Sequence, residues 1–453
     1  MNKEQKYTLL VAITTAFLTT FMGSALNLSI PGIEEHFDVS AASVGWVVTA
    51  YILAVSAFNV PMGKIADTKG RRFVLLLGLA IFTVGSLGAA FSVSIAMLII
   101  LRMVQGLGAA MLFATNNAVL LSAFPEEKHG TALGMSVAST YTGLSLGPVI
   151  GGVLNKQFGW QSVFVTAVII GIIAFAVAKV GLTKNEKLHE VKGKDPAGNI
   201  IYILMIICLI YGFTDLSVKS YAWAILAGGL ILGIIFVRIE LKSSSPVINM
   251  RMFRDRVFSF SNIAALLNYG ATFAISYLLS IYLQHVKGFD SQTAGLLLIV
   301  QPVVMAILSP KTGKLSDRIP AYKMASAGMA ICAICLGALT FLREDTPLAF
   351  IVIVQIILGI GFALFSSPNT KAIMERVKAE DYGVANSIVA TMRNLGQSYS
   401  MAIVTIVVGA IMGSASLHST DPATLVKVTH IVFLINVVLC IGATFLSMIR
   451  SKE

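Results

Sequence analysis

The chain has 453 residues, 56% hydrophobic and 12% charged, with a mean hydropathy of +0.84. A charged fraction about half that of a soluble domain excludes a water-soluble globular protein, and the lack of ten-residue alternating segments excludes an outer-membrane barrel. The net charge of +11 does not indicate a nucleic-acid partner, because the lysines and arginines fall in alternate loops between apolar runs, which is how membrane topology is written.

Helices are predicted over 7–30, 43–63, 73–91, 95–121, 131–154, 162–182, 198–217, 221–241, 258–283, 292–312, 323–342, 348–371, 383–412 and 428–449. Each is long enough to cross a hydrocarbon core of about 30 Å. The basic start lacks a cleavage signature and its apolar run is too long for a signal peptide, so it stays as the first helix. With that terminus placed in the cytoplasm, roughly 26 of the 33 Lys and Arg fall inside. Both termini are therefore expected in the cytoplasm. Glu34 and Asp38 fall in the first outer loop.

The first polar landmark is Gly63-Lys64-Ile65-Ala66-Asp67-Thr68-Lys69-Gly70-Arg71-Arg72, read as a tight basic turn between the second and third helices. Glycine at 63 and 70 permits close backbone approach and positive φ. An acid among the bases suggests a latch, in which Asp67 holds a helix N-terminus or an arginine in one state and releases it in the other. The plainer reading is a topogenic loop. A looser copy with Asp317 and Arg318 at 313–320 favours the latch.

Arg102 lies within the fourth apolar run, where an arginine costs about 2.5–3.5 kcal/mol at mid-span and needs a partner or a wet cavity. Gly143, Gly147 and Gly151 form a smooth stripe on the fifth helix, flanked by Pro148 and Gly152. Asn27, Asn116, Asn117, Gln301, Asn369 and Asn386, with Tyr51, Phe113, Tyr141, Tyr269 and Phe365, are candidates to line a substrate cavity; interhelical packing is the competing assignment for each polar residue, and a lipid-facing position for each aromatic one. Arg393 is a second intramembrane cation, marking a polar cavity wall. Asp215 is the acid near the outer end of the seventh helix.

A charged connection at 183–195 follows six helices, and a second at 242–256 follows two more. This divides the chain into an N-terminal six-helix bundle (1–182), linkers with two additional helices (183–257), and a C-terminal six-helix bundle (258–453). Gly106-Leu107-Gly108, Asn116 and Gly130 recur at an offset of 253 as Gly359-Ile360-Gly361, Asn369 and Gly383. Such repeats belong to transporters with a midplane site between the halves. Cys208, Cys332, Cys335 and Cys440 lie in apolar runs without metal-ligand spacing, and no nucleotide-binding loop is present.

At this point the chain resembles the major facilitator superfamily, specifically its fourteen-helix drug:proton antiporters. The resemblance rests on the 63–72 turn, on Leu101-Arg102-Met103-Val104-Gln105-Gly106-Leu107-Gly108, on Gly143-Leu144-Ser145-Leu146-Gly147-Pro148-Val149-Ile150-Gly151-Gly152, and on Leu26-Asn27-Leu28-Ser29-Ile30-Pro31. It implies an all-α integral membrane fold of two six-helix bundles plus two helices, and proton-coupled export of small amphipathic or lipophilic compounds. A carrier for one metabolite or antibiotic is the alternative. It also implies multi-pass insertion in a bacterial cytoplasmic membrane, action as a monomer on small molecules and protons, and a proton gradient in place of any cofactor or enzymatic chemistry. Arg102 would take part in proton coupling, with Asp67, Asp215, Glu34 or Asp38 as the titrating acid. Met22 stands where the family commonly carries a first-helix acid.

Overall fold

Among the described residues, fourteen helices long and apolar enough to cross a membrane follow one another in the order α1 (Lys3–Ser24), α2 (Val44–Lys69), α3 (Arg71–Ala90), α4 (Ile95–Ala123), α5 (Glu126–Phe158), α6 (Gln161–Gly181), α7 (Pro196–Asp215), α8 (Ala222–Lys242), α9 (Arg256–Val286), α10 (Gln292–Ser316), α11 (Ala321–Leu339), α12 (Leu348–Met374), α13 (Ala379–Met412) and α14 (Pro422–Met448). The computed structural model describes residues 1–39, 41–182, 195–216, 219–412 and 421–449, though not the side chains of residues 27, 28, 30, 31, 41–43, 291 and 449. The expected linker at 183–194 and the Asn27 side chain thus lie outside the described residues.

In a bilayer each backbone N–H must find its partner inside the protein, and a helix meets that demand within one segment. Several helix starts carry side-chain caps. Asn2 and Gln5 form a reciprocal capping box, Asp195 accepts from Gly198 N at 2.7 Å, and Asp255 from Phe258 N at 2.8 Å. Two of the boundaries that differ from expectation bear on the site. α1 ends at Ser24 and passes through a 3₁₀ turn (Ala25–Ser29) into a short helix (Ile30–Phe37) with a proline at its start. α2 continues to Lys69, so most of the expected 63–72 turn is helical. Only Gly70 breaks it, at φ 108°, a region L side chains avoid.

α1–α6 pack around Phe21, Met22, Phe82, Trp160 and Phe164, and α9–α14 around Ile275, Leu278, Cys332, Leu358 and Phe433. Between them α7 and α8 pair with each other, and α7 leans on α2 and α13. The two bundles meet along α2 against α13 and α5 against α10, a pseudo-symmetric pair of contacts. Cys332, Cys335 and Cys440 are buried and Cys208 is half-buried, and all four are free thiols.

Candidate transport chamber and its two latches

On the face that carries Gly70, here called the basic face, α2 reaches across to the start of α13. A 3₁₀ turn (Ala379–Asp381) precedes Tyr382, so the next amides point out of the helix end without intrahelical partners. Asp67 takes them: Gly383 N donates to Oδ1 at 3.2 Å and Val384 N to Oδ2 at 3.1 Å. One turn on, Arg71 donates to the same carboxylate from Nε at 3.1 Å and Nη2 at 2.9 Å. Its Nη2 also donates across the interface to the Ala379 carbonyl, and the guanidinium sits 5.6 Å from the Tyr382 ring centroid. Asp67 is fully buried. Gly63 and Gly383 allow this approach: a Cβ on Gly63 would stand 2.7 Å from the Gly383 carbonyl oxygen, and one on Gly383 2.7 Å from Asp67 Oδ1.

The second latch repeats the plan between α10 and α5. A 3₁₀ turn (Glu126–Lys128) precedes His129. Asp317 accepts from Gly130 N at 2.7 Å, Thr131 N at 2.9 Å and Thr131 Oγ1 at 2.6 Å. Lys371, from α12, completes it at 2.9 Å. Burial pushes the Asp317 carboxyl up, but the hydrogen bonds from Thr131, Lys371 and Gly130 outweigh it and hold the group below its ordinary value.

Above the latches lies a chamber of about 80 Å³ lined from both bundles. It has room for roughly two or three waters and is far short of the 300–1,000 Å³ of a ligand pocket. Phe113, Asn116 and Asn117 of α4, Ser136, Thr140 and Tyr141 of α5, Tyr269 of α9, Ser366 and Thr370 of α12, and Asn386 and Arg393 of α13 give the wall its character. Asn117 Nδ2 donates to Asn386 Oδ1 at 2.8 Å, while Asn386 Nδ2 donates to the Phe113 carbonyl. Tyr269 and Ser366 hydroxyls lie 3.2 Å apart. Arg393 is the only charged residue in the wall, half-buried over the Phe113 ring at 5.3 Å. No ion pair to it occurs among the described residues. Asn59 and Asn394 add bonds across the interface, to the Ser387 carbonyl at 3.3 Å and to Ser56 Oγ at 2.8 Å. Together with the latches, these bonds join the bundles from the chamber level to the basic face.

The structure therefore brings Phe113, Asn116, Tyr141, Tyr269 and Arg393 together and places Tyr51, Gln301, Phe365 and Asn369 elsewhere. Tyr51 is 4% exposed, 4.3 Å from the Arg102 guanidinium, with its hydroxyl donated to the Thr19 carbonyl at 3.1 Å. Phe365 is buried in the C-terminal bundle, Asn369 donates to the Ser261 carbonyl at 3.1 Å, and Gln301 makes a long contact to the Met305 sulfur at 3.9 Å. Asn117 and Asn386, also expected in the lining, are found in it, whereas Ser136, Thr140, Ser366 and Thr370 were not among the expected lining. Their signal was present as helical spacing: Ser136 and Thr140 stand four apart, as do Ser366 and Thr370.

The gate and coupling candidates also need correction. Arg318 is exposed and its place beside Asp317 is taken by Lys371, because α10 ends at Ser316 and the acid turns back toward α12. Arg72 donates to the Lys179 carbonyl within its own bundle. Asp215 pairs with Lys219 at 3.0 Å away from the chamber, and Glu34 and Asp38 sit on the short helix after α1 and its C-cap. Arg102 is 1% exposed, donating to the Val47 carbonyl at 2.9 Å and to Gln105 Oε1 at 2.5 Å. Gln105 passes the contact to Ser86 Oγ at 2.6 Å. The partners are a carbonyl, an amide and a ring, with no carboxylate in ion-pair range among the described residues. On α5, a Cβ on Gly143, Gly147 or Gly151 would collide with Thr20, Ser24 or Ala25 of the facing chain. Pro148 lies within the continuous helix, and Gly152 is half-buried. Met22 is fully buried in the N-terminal core, so that position does not open on the chamber.

Two pseudo-equivalent bundles that enclose a polar chamber and close one face by matched latches define a helical membrane carrier. The family model described as Major Facilitator Superfamily matches residues 12–401 and, in a second match, 261–452. The chain belongs to the Major Facilitator Superfamily and is one of its transporters. It is 32% identical to the riboflavin transporter RibZ of Clostridioides difficile over 393 residues, 86% of each chain. It is 30% identical to the multidrug resistance protein Stp of Mycobacterium tuberculosis over 422 residues, 90% of this chain and 77% of that one. The solved structure of the proton:xylose symporter XylE superposes with a TM-score of 0.67 at 12% identity, covering 96% of this chain and 94% of that one, a likeness of fold alone.

Proposed function

We propose that this transporter exports small amphipathic compounds from the cytoplasm across a bacterial cytoplasmic membrane, as a monomer, by alternating access driven by inward proton flow. Its basic face is the cytoplasmic one, the side on which both termini lie. The division into bundles at 1–182 and 258–453 provides the two rocking bodies, and the described state is the one closed to the cytoplasm.

The observation that carries this reading is the chamber wall, built from both bundles and holding a single charge, Arg393, with no carboxylate. A half-buried cation facing polar hydroxyls and amides attracts anions and acceptor-rich neutral rings and repels cations. Substrates are accordingly neutral or anionic. Asp67 is the acid that exchanges the proton. Among the candidates it alone is buried in a contact between the bundles, and protonation removes the charge that its two amides and Arg71 hold. Asp215, Glu34 and Asp38 take no part in it, and Arg102 braces α2 against α4. The helix-5 stripe with Pro148 packs α5 on α1, the element that must keep its shape while the bundles rock.

The names of relatives supply a test panel: riboflavin, a cephamycin and methyl viologen, which are respectively a neutral ring, a carboxylate and a dication. In proteoliposomes with an imposed pH gradient, the first two classes dissipate the gradient and methyl viologen does not. Arg393→Gln raises the KM of the carboxylate at least tenfold and leaves the neutral ring within about twofold. Equal transport of the dication would overturn the charge selection, and transport indifferent to the gradient would overturn the proton coupling. A response to riboflavin alone would favour the dedicated-carrier reading, which the similarity to RibZ supports.

A further inference from the structure

A cavity of about 850 Å³ lies outside the transport chamber, between the two additional helices and the second bundle. Its walls are apolar: Ile206 from α7, Leu230 and Ile234 from α8, Phe253 from the connection, and Met392 and Leu395 from α13. The Tyr202 and Thr391 hydroxyls, also in the lining, hydrogen-bond to each other at 2.9 Å, so the wall between these helices is overwhelmingly apolar. Leu230 and Arg238 stand eight residues apart on α8, which at 1.5 Å per residue is about 12 Å. That is close to one leaflet of a core of about 30 Å.

Arg238 of α8 and Arg254 of the connection line the mouth, and both are exposed. Neither has an ion-pair partner among the described residues. The acids nearby are committed elsewhere. Glu240 is 3% exposed and accepts from Ile248 N at 3.0 Å. Asp255 holds Arg376 at 2.7 Å, and although burial pushes its carboxyl up, that bond and the cap bond from Phe258 N keep it below its ordinary value. The mouth therefore carries two uncompensated cations above a leaflet-deep apolar slot.

We infer that this cavity binds one anionic glycerophospholipid from the leaflet on the basic face, with an acyl chain between α7, α8 and α13 and the phosphate against Arg238 and Arg254. The additional helix pair then serves as the wall of a lipid site resting on α13, the helix that also carries Arg393 and the Gly383 end of the Asp67 latch. The site does not depend on the direction of transport or on its coupling.

Native mass spectrometry of the full chain in detergent, with phosphatidylglycerol and phosphatidylcholine of identical acyl chains, tests the inference. Wild type retains phosphatidylglycerol at least fivefold over phosphatidylcholine. R238Q/R254Q loses that preference, while R343Q, at a position on the opposite face, keeps it. Gly233→Phe fills the slot without touching either arginine, since a Cβ there would meet only the Met205 sulfur at 3.4 Å; it lowers retention of both lipids. Glycerophosphate, which carries the headgroup charge without the chain, displaces the lipid at least tenfold less well than a long-chain competitor. Equal retention of the two lipids by wild type, an unchanged preference in R238Q/R254Q, or unchanged retention in Gly233→Phe would overturn it. So would equal displacement by glycerophosphate, or displacement by a transported solute at its working concentration, which would make the slot a solute vestibule.

Discussion

At the start of α13, Asp67 accepts two backbone amides and draws its counter-charge from Arg71 on its own side of the interface. At the start of α5, Asp317 accepts two amides and a hydroxyl, with Lys371 as its counter-charge. The geometry of the acceptor is the same, but the cations differ. Arg71 itself crosses to the Ala379 carbonyl and the Tyr382 ring, whereas Lys371 stays in its own bundle, reaching the Ser316 carbonyl at 2.7 Å and Glu375 at 3.5 Å. A planar guanidinium can serve a carboxylate, a carbonyl and a ring at once, and a compact ammonium cannot. The Asp67 latch is thus a charge network across the interface, and the Asp317 latch is a capped helix end with its charge balanced locally.

The sharpest break of this comparison is Asp67→Asn. It leaves Arg71 buried beside a neutral amide, and removing one partner of a buried pair costs about 3–5 kcal/mol. Transport is expected to fall at least tenfold, and spin labels at positions 69 and 378 are expected to move apart. The double variant D67N/R71Q should recover part of the closure, because it removes the orphaned charge. Asp317→Asn should cost less, on the order of threefold, since Lys371 keeps Ser316 and Glu375 and an asparagine oxygen still accepts an amide. An equal loss in the two variants would erase the distinction.

Gly63→Ala and Gly130→Ala test whether close approach matters alike at both latches. The first places a Cβ 2.7 Å from the Gly383 carbonyl oxygen, and the second drives one into the Gly313 carbonyl oxygen. Each should loosen closure by a similar several-fold factor in crosslinking of cysteines placed across its own interface.

The pH response separates the latches further. The Asp317 carboxyl is held below its ordinary value, so its contribution is complete above about pH 4, the unfolded value, and is lost only as pH falls through the lower folded one. The ratio of D317N to wild-type transport should therefore stay constant between pH 5 and 8. A ratio that drifts across this window would show that Asp317 titrates there. The smallest effect belongs to Arg318→Gln, expected within twofold in the same transport assay, because that side chain is exposed and Lys371 occupies the place beside the acid.

Much of the site was legible one residue at a time. Asp67 and Asp317 stood out as acids within basic segments, Gly63 and Gly70 as backbone positions, and Arg393 as a cation too expensive to leave in lipid. Lys371 was not legible, because a lysine near the basic end of an apolar helix looks like ordinary topology. Tyr51 and Phe365 were indistinguishable from Tyr141 and Tyr269, since an aromatic residue in an apolar helix has the same local sequence whether it faces core, lipid or chamber.

The sequence by itself determined that this is a membrane protein of fourteen helices built on a repeat, because hydrocarbon leaves the backbone few alternatives and each span carries its own signal. Tertiary structure alone decided which face of each helix meets which neighbour. When every face is apolar, periodicity cannot separate the lipid side from the core. Only the packing of α2 on α13, of α5 on α10, and of the additional pair on α13 determined which polar residues form latches and chamber and where the leaflet-deep slot opens.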